Sequence, residues 1–256
     1  MFDLFKSKKD PRPLDYDLRK FFENNWLCLM HAFPEPDIKD RKIRVPEPSD
    51  FPIKWQNSKE NAQDVLAIVA PQMEIDPALI ELEFYKNNPR ELDSGISSIF
   101  LESDPDSSEA AGMYFHEKVD GKFQIALDEA LLQNPENLIA TLSHELAHVK
   151  LLGENVMEEA DEMTTDMTTV YFGMGIFNAN AAFRFYQEMD RWGYNSLGYL
   201  KIEEWAYVLA LLAFTREEDN PEWENYLSKD VYSEFDRCLT YMLENEEEIF
   251  HFEEAD

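Results

Sequence analysis

The chain has few cysteines and few glycines for its length. Only Cys28 and Cys238 occur among 256 residues, so at most one bridge can form, and they do not form a C-x-x-C pair; both observations argue against a disulfide framework and against a zinc site built from thiolates. Apolar residues make up 44% of the sequence, which is enough to bury one sizeable core or two smaller ones. We therefore expect a chain that folds without covalent cross-links.

Positive charge is also scarce. The formal net charge is −30, and contact with phosphate groups requires clustered Lys and Arg side chains. The composition thus argues against binding to nucleic acid or to anionic membranes, and a charged partner or substrate is expected to be basic.

Long apolar segments are missing as well. The longest, Trp205 to Phe214, is about half of the roughly 20 residues that a membrane-spanning helix needs, so it is interpreted as a buried helix. The first residues, Met1 to Lys6, lead into a charged stretch and do not resemble a signal peptide. These features predict a cytoplasmic protein without membrane insertion.

Prolines divide the N-terminal part of the chain. They restrict any long helix to about residues 14–32 and predict an extended strap after it, so that residues 1–57 form a separate N-terminal region. A second helix is predicted from Ser58 to Pro71, where apolar residues recur at helical spacing. The prolines in question are Pro11, Pro13, Pro34, Pro36, Pro46, Pro48 and Pro52.

A small sheet is predicted over about residues 78–128. Residues 78–85 alternate in polarity as a strand does, and residues 112–119 and 122–127 flank Asp120-Gly121, a dipeptide typical of two-residue hairpin turns. Residues 87–110 have the composition of a long, lid-like loop. Residues 134–256 are helical in pattern, which predicts an α+β domain over residues 58–256 with a mostly helical C-terminal half.

One predicted helix has an apolar face and, opposite it, a face that carries two histidines. Asn134 and Pro135 are typical of a helix start, and Gly153 is typical of a helix end. His144 and His148 lie one turn apart, on the side opposite the apolar residues Leu138, Ile139, Leu142, Leu146 and Val149.

The segment His144-Glu145-Leu146-Ala147-His148 has the H-E-x-x-H pattern. Two imidazoles at this spacing can bind one zinc ion, and the intervening glutamate can take a proton from water at the open position of the metal. Such a match arises by chance in roughly one in 80 sequences of this composition. The alternative is that both histidines lie on a solvated helix face. His31, His116 and His251 are interpreted as surface or hydrogen-bonded residues, so we predict one zinc ion per chain.

The third zinc ligand is sought in the acidic segment after the motif. A metzincin would have Gly and His at the positions of Leu151 and Glu154, so that arrangement is excluded. Asn155 and Glu158 are spaced as in a capping box, which predicts a helix start there and gives Glu158 a capping role. If this helix runs antiparallel to the first, the rise along it brings Glu162 back to the position of His148, whereas the rise to Glu158 is too short. Asp166, one turn further on, is predicted to accept an N–H from a ligating histidine.

The spacing of Glu162-Met163-Thr164-Thr165-Asp166 after the motif resembles that of gluzincins, such as the thermolysin-like peptidases. The chain is also similar to a family of uncharacterised bacterial proteins in its C-terminal part. The segments that carry this second resemblance are 144–153, 165–180, Gly198-Tyr199-Leu200 and Trp205-Ala206-Tyr207.

The gluzincin resemblance implies a zincin-like fold, in which a small antiparallel or mixed sheet lies beside the active helix. It also implies a zinc metallopeptidase, with His144, His148 and Glu162 as ligands and Glu145 as the general base. Gluzincins add a donor to the oxyanion; Tyr199 and Tyr207 are candidates here, with packing in the core as the alternative for each. The rival function is a zinc-binding regulatory or interaction protein without turnover.

Overall fold

The computed structural model describes residues 12–86, 112–189 and 200–252. Within these ranges the protein is mostly helical with a small sheet, which confirms the predicted α+β class. The helices and strands are, in chain order, α1 (Tyr16–Ala32), α2 (Lys59–Gln72), β1 (Ile80–Tyr85), β2 (Gly112–Val119), β3 (Lys122–Asp128), α3 (Pro135–His148), α4 (Glu162–Tyr171), α5 (Gly175–Met189), α6 (Ile202–Thr215) and α7 (Lys229–Glu244).

The chain divides into two compact units. The first comprises Met1–Arg41 and Ala182–Asp256, and the second comprises Lys42–Ala181. This division differs from the predicted boundary between residues 57 and 58. The physical reason is hydrogen bonding by the strap: the Arg44 N–H donates to the Gly173 carbonyl at 2.9 Å, and Gln72 Nε2 donates to the Lys42 carbonyl at 2.8 Å.

The predicted N-terminal elements are present. The helix expected at residues 14–32 is α1, whose first turn is capped by the Asp15 carboxylate, which accepts from Leu18 N at 2.9 Å. Residues 33–57 contain no helix or strand, as expected for the strap. The helix expected from Ser58 is α2, which ends at Gln72. Proline spacing and apolar periodicity were therefore sufficient to place these elements.

The sheet is mixed, with strand order β1-β3-β2. Strand β1 runs parallel to β3, with Ile80 opposite Phe123, while β2 runs antiparallel to β3. Asp120 and Gly121 join β2 and β3 with positive φ angles of 51° and 81°, as the two-residue turn requires. The predicted lid-like loop lies outside the described residues. Strand β3 has both faces buried. Because β3 lies between the other two strands, β2 forms one edge of this three-stranded sheet.

The second unit buries α3 along most of its length. Helix α3 packs against α2, α4 and β2, with Leu138, Leu142 and Leu146 completely buried. A buried polar contact adds to this packing, because Asn178 Nδ2 donates to the Ala140 carbonyl at 3.0 Å and Ser143 Oγ donates to Asn178 Oδ1 at 2.9 Å. These contacts hold the helix that carries the H-E-x-x-H motif.

The first unit is helical in its described part. Helix α6 packs against α1 and α7, and its residues 204–213 are buried, as predicted for the apolar segment. Nowhere in residues 12–86, 112–189 and 200–252 is there a helix with both the length and the apolar character needed to cross a bilayer.

Candidate metal centre

Helix α3 presents the two histidines of the motif side by side. It begins as predicted, with Pro135 in its first turn and Asn134 Oδ1 accepting from Asn137 N at 3.2 Å. The regular helix ends at His148 and continues as a wider π-helical turn, Val149–Gly153. The His144 and His148 rings have centroids 4.9 Å apart and planes at 83° to each other.

Both imidazoles direct the same ring nitrogen towards Glu162. The Glu162 Oε2 atom lies 3.1 Å from His144 Nε2 and 3.7 Å from His148 Nε2. One ligand atom from each of the three residues lies within 4.8 Å of the others, so the group can hold a metal ion. Two imidazole nitrogens and one carboxylate oxygen are the protein donors of many catalytic zinc sites, which keep a further position open.

The helix that carries Glu162 starts later than predicted. Helix α4 begins at Glu162, and its N-cap is Asp161, whose carboxylate accepts from Thr164 N at 2.7 Å. Asn155 has a left-handed φ of 56°, and Glu158 is exposed in the irregular segment before the helix. The predicted capping box of Asn155 and Glu158 is therefore wrong.

The reason for this error lies in the end of the preceding turn. The Asn155 N–H donates to the Leu152 carbonyl at 3.0 Å, and the Val156 N–H donates to the Leu151 carbonyl at 2.9 Å. Asparagine is favoured at helix N-caps, but it also tolerates the left-handed conformation that terminates helices. Here it has the second role. The distance along α4 that was used to choose Glu162 was therefore counted from the wrong starting residue, although Glu162 does lie beside both histidines.

The Asp166 carboxylate lies on the far side of the His144 ring. Its Oδ1 atom is 2.9 Å from His144 Nδ1, and Asp166 is 1% exposed. Burial lowers the pKa of His144, but hydrogen bonds to Asp166 and Glu162 raise it by more, so the net pKa is well above the usual range. With Asp166 accepting from Nδ1, the His144 Nε2 atom is the one available to a metal.

The carboxyl groups of Glu162 and Glu145 are in different environments. Burial raises the pKa of Glu162, but hydrogen bonds to the two imidazoles outweigh it and hold that pKa well below its usual range. Burial raises the pKa of Glu145, and the opposing charges of His144 and His148 do not reverse the shift. Glu162 is thus held in the ionised form that a metal ligand requires, while the pKa of Glu145 is shifted in the direction that favours proton transfer near neutral pH.

Tyr114 is a neighbour of the site that sequence reasoning missed. Its ring is parallel to that of His148, with centroids 6.1 Å apart and planes at 5°. Its backbone N–H hydrogen-bonds to Glu145, and burial raises the pKa of its own hydroxyl to about 12. Strand β2 brings Tyr114 to α3 although it precedes Glu145 by 31 residues and His148 by 34, and no local motif signals such a contact.

Of the two predicted oxyanion donors, only Tyr207 lies within the described residues. Tyr199 lies outside those residues. Tyr207 is completely buried in the first unit, where its hydroxyl donates to Glu23 Oε1 at 2.7 Å. Of the other histidines, His31 and His251 are exposed.

Comparison of the chain with models of known protein families, with curated proteins and with solved structures finds no significant match. The function proposed below is therefore inferred from the residues of the site.

Proposed function

We propose that this chain is a zinc-dependent hydrolase, and specifically a peptidase, in which His144, His148 and Glu162 bind one zinc ion. The observation that supports this most directly is the convergence of both Nε2 atoms on Glu162 Oε2, with the buried Glu145 in the same motif. On this proposal the second unit is zincin-like, with the motif helix α3 beside the small mixed sheet.

The donor set favours zinc over magnesium and calcium. Magnesium and calcium prefer oxygen ligands, whereas zinc accepts imidazole nitrogen together with a carboxylate. When bound, a zinc ion in such a site lowers the pKa of a coordinated water and polarises the carbonyl to be cleaved.

The chain's own residues have separate roles. His144 and His148 provide lone pairs on Nε2, and Asp166 holds His144 through Nδ1. Glu145 is 5% exposed, and on this proposal its carboxylate takes a proton from the attacking water and returns one to the leaving amine. Its raised pKa brings the carboxyl closer to the range in which it can both accept and release a proton.

The charge of the chain bears on the substrate. With a net charge of −30, the protein attracts cationic molecules and repels polyanions. We accordingly propose a basic peptide or an unfolded basic protein segment as the substrate, encountered in the cytoplasm.

The experiment that tests the proposal is digestion of a library of unstructured peptides by zinc-loaded protein. We expect cleavage that stops when a chelator is added and returns with added zinc, and basic peptides should be cut faster than acidic ones of equal length. Mass spectrometry of the products identifies the bonds that are cut. If the protein holds zinc but leaves every peptide intact, the non-catalytic zinc-binding function replaces the hydrolase.

A further inference from the structure

The two histidines of the site are supported by neighbouring residues of one helix. Asp166 faces the Nδ1 atom of His144, and Thr165 faces the Nδ1 atom of His148, with its Oγ1 atom 3.5 Å away. Thr165 is completely buried, although it would be interpreted from sequence as a helix-packing residue. Each imidazole therefore has its Nε2 directed to Glu162 and its Nδ1 directed to a side chain of α4.

The other contact of the Thr165 hydroxyl determines what it can do for His148. The Thr165 Oγ1 atom donates to the Asp161 carbonyl at 3.0 Å. A hydroxyl has one hydrogen and two lone pairs, so once that hydrogen is committed, the oxygen can only accept. The partner of Thr165 is therefore His148 in the tautomer that carries its hydrogen on Nδ1, and this tautomer leaves the Nε2 lone pair available.

This hydrogen-bond chain ends at the residue that positions the third ligand. Asp161 caps α4 by accepting from Thr164 N, and Glu162 follows it directly. The segment 161–166 thus contains the carboxylate ligand and the partners of both imidazoles. A shift of the Thr165 side chain would be transmitted both to the His148 ring and to the start of the helix that bears Glu162.

We propose that Thr165 is a positioning residue, which fixes the tautomer and ring orientation of His148 so that its Nε2 atom binds the metal. This inference rests on the proposed function, since it assigns a role within the same metal centre. Polar partners of ligating histidines tune metal binding in this way, and their removal typically weakens metal affinity by about 10- to 100-fold.

The matched control is another buried threonine on the same helix. Thr168 is also completely buried, and its hydroxyl donates to the Thr164 carbonyl at 2.8 Å, the same backbone contact that Thr165 makes with Asp161. Thr168→Val therefore removes a buried hydroxyl and its backbone bond without removing the contact at 3.5 Å from His148 Nδ1. Thr165→Val removes both, and Thr165→Ser keeps the hydroxyl.

The first readout is zinc affinity, measured by competition with a chelating indicator. We expect Thr165→Val to bind zinc about 10- to 100-fold more weakly than wild type, while Thr165→Ser and Thr168→Val stay within about threefold. Equal affinity of Thr165→Val and wild type would overturn the proposal. So would an equal loss in Thr168→Val, because the effect would then come from helix packing.

The second readout needs no metal, so it separates this proposal from the proposed function. Nitrogen-15 NMR of the histidine rings is recorded in metal-free Glu162→Ala protein at about pH 9, where free imidazole is neutral, and it reports which ring nitrogen carries the hydrogen. The Glu162→Ala background removes the carboxylate that lies 3.7 Å from His148 Nε2 and would otherwise accept a hydrogen from it. In this background, Thr165 and Thr165→Ser should show His148 with hydrogen on Nδ1, and Thr165→Val should shift towards hydrogen on Nε2. A Glu162→Ala protein with Thr165 intact and the His148 hydrogen on Nε2 would refute the role of Thr165. The expected tautomers in this background, together with wild-type protein that binds no zinc, would refute the metal centre alone.

Discussion

Glu145→Gln is expected to lower the turnover of peptide substrates by about 10²- to 10⁴-fold, the usual cost of losing a general base. Glutamine has nearly the same shape as glutamate but cannot accept the proton. Since the ligand cluster consists of His144, His148 and Glu162, the substitution should leave zinc content unchanged. Thermal stability should also remain near wild type, because burying a neutral amide costs no more than burying a carboxyl group whose ionisation is already disfavoured.

The matched control for this substitution is Glu158→Gln. Glu158 is an exposed acid in the segment before α4, so its replacement removes the same charge without touching the site. We expect it to cleave peptides at the wild-type rate. If Glu145→Gln cleaves as fast as wild type, the proposed mechanism is wrong even where zinc is bound. A chelator control on both proteins excludes a contaminating protease.

Glu162→Ala is expected to weaken zinc binding by more than about 100-fold, because loss of a ligand exceeds the loss of a residue that only supports one. The Glu162 Oε2 atom is the point at which the two imidazoles converge, at 3.1 and 3.7 Å. Its removal leaves the cluster of His144, His148 and Glu162 with its two nitrogen donors alone. Titration of each protein with zinc, in competition with a chelating indicator, measures the change.

Glu158→Ala is the control for Glu162→Ala. From the sequence, this variant would cost about 1 kcal/mol through loss of a helix cap. The structure gives the capping role to Asp161 and leaves Glu158 exposed, so we now expect a change in stability within about 0.5 kcal/mol and wild-type zinc affinity. Stronger loss of zinc in Glu158→Ala than in Glu162→Ala would contradict the arrangement of the site.

Local signals were sufficient for the elements that frame the site. Asn134 with Pro135 marks the start of α3, because capping and a proline in the first turn depend only on adjacent residues. Asp120-Gly121 marks the turn of the hairpin for the same reason, since both residues must have positive φ. The spacing of His144 and His148 then follows from helix geometry alone.

The start of α4 could not be predicted in the same way. Asn155 and Asp161 are both good N-cap residues, and the choice between them depends on how the preceding turn ends. That turn is π-helical over Val149–Gly153, and Gly153 lies against the Phe123 ring: a Cβ atom at Gly153 would be 2.7 Å from it. The outcome therefore depends on a contact with strand β3, which the sequence of the segment does not contain.

Contacts between distant segments are also what sequence reasoning missed around the histidines. Tyr114 reaches His148 from an edge strand, and Thr165 reaches it from the next helix. Neither a tyrosine nor a threonine indicates such a contact by its residue type. Only the packing of β2 and α4 against α3 brings these two side chains to His148. The strap from Lys42 onward belongs to the second unit for a related reason, because its hydrogen bonds to Gly173 and Gln72 have no composition signal.

The most direct test of the metal centre is the zinc content of protein purified without chelators. Elemental analysis should find about one zinc per wild-type chain, as a single site with three protein ligands requires. The double variant His144→Ala, His148→Ala should contain almost none while keeping its helical circular dichroism. Wild-type protein that is folded, has been offered zinc and still contains no metal would contradict the account.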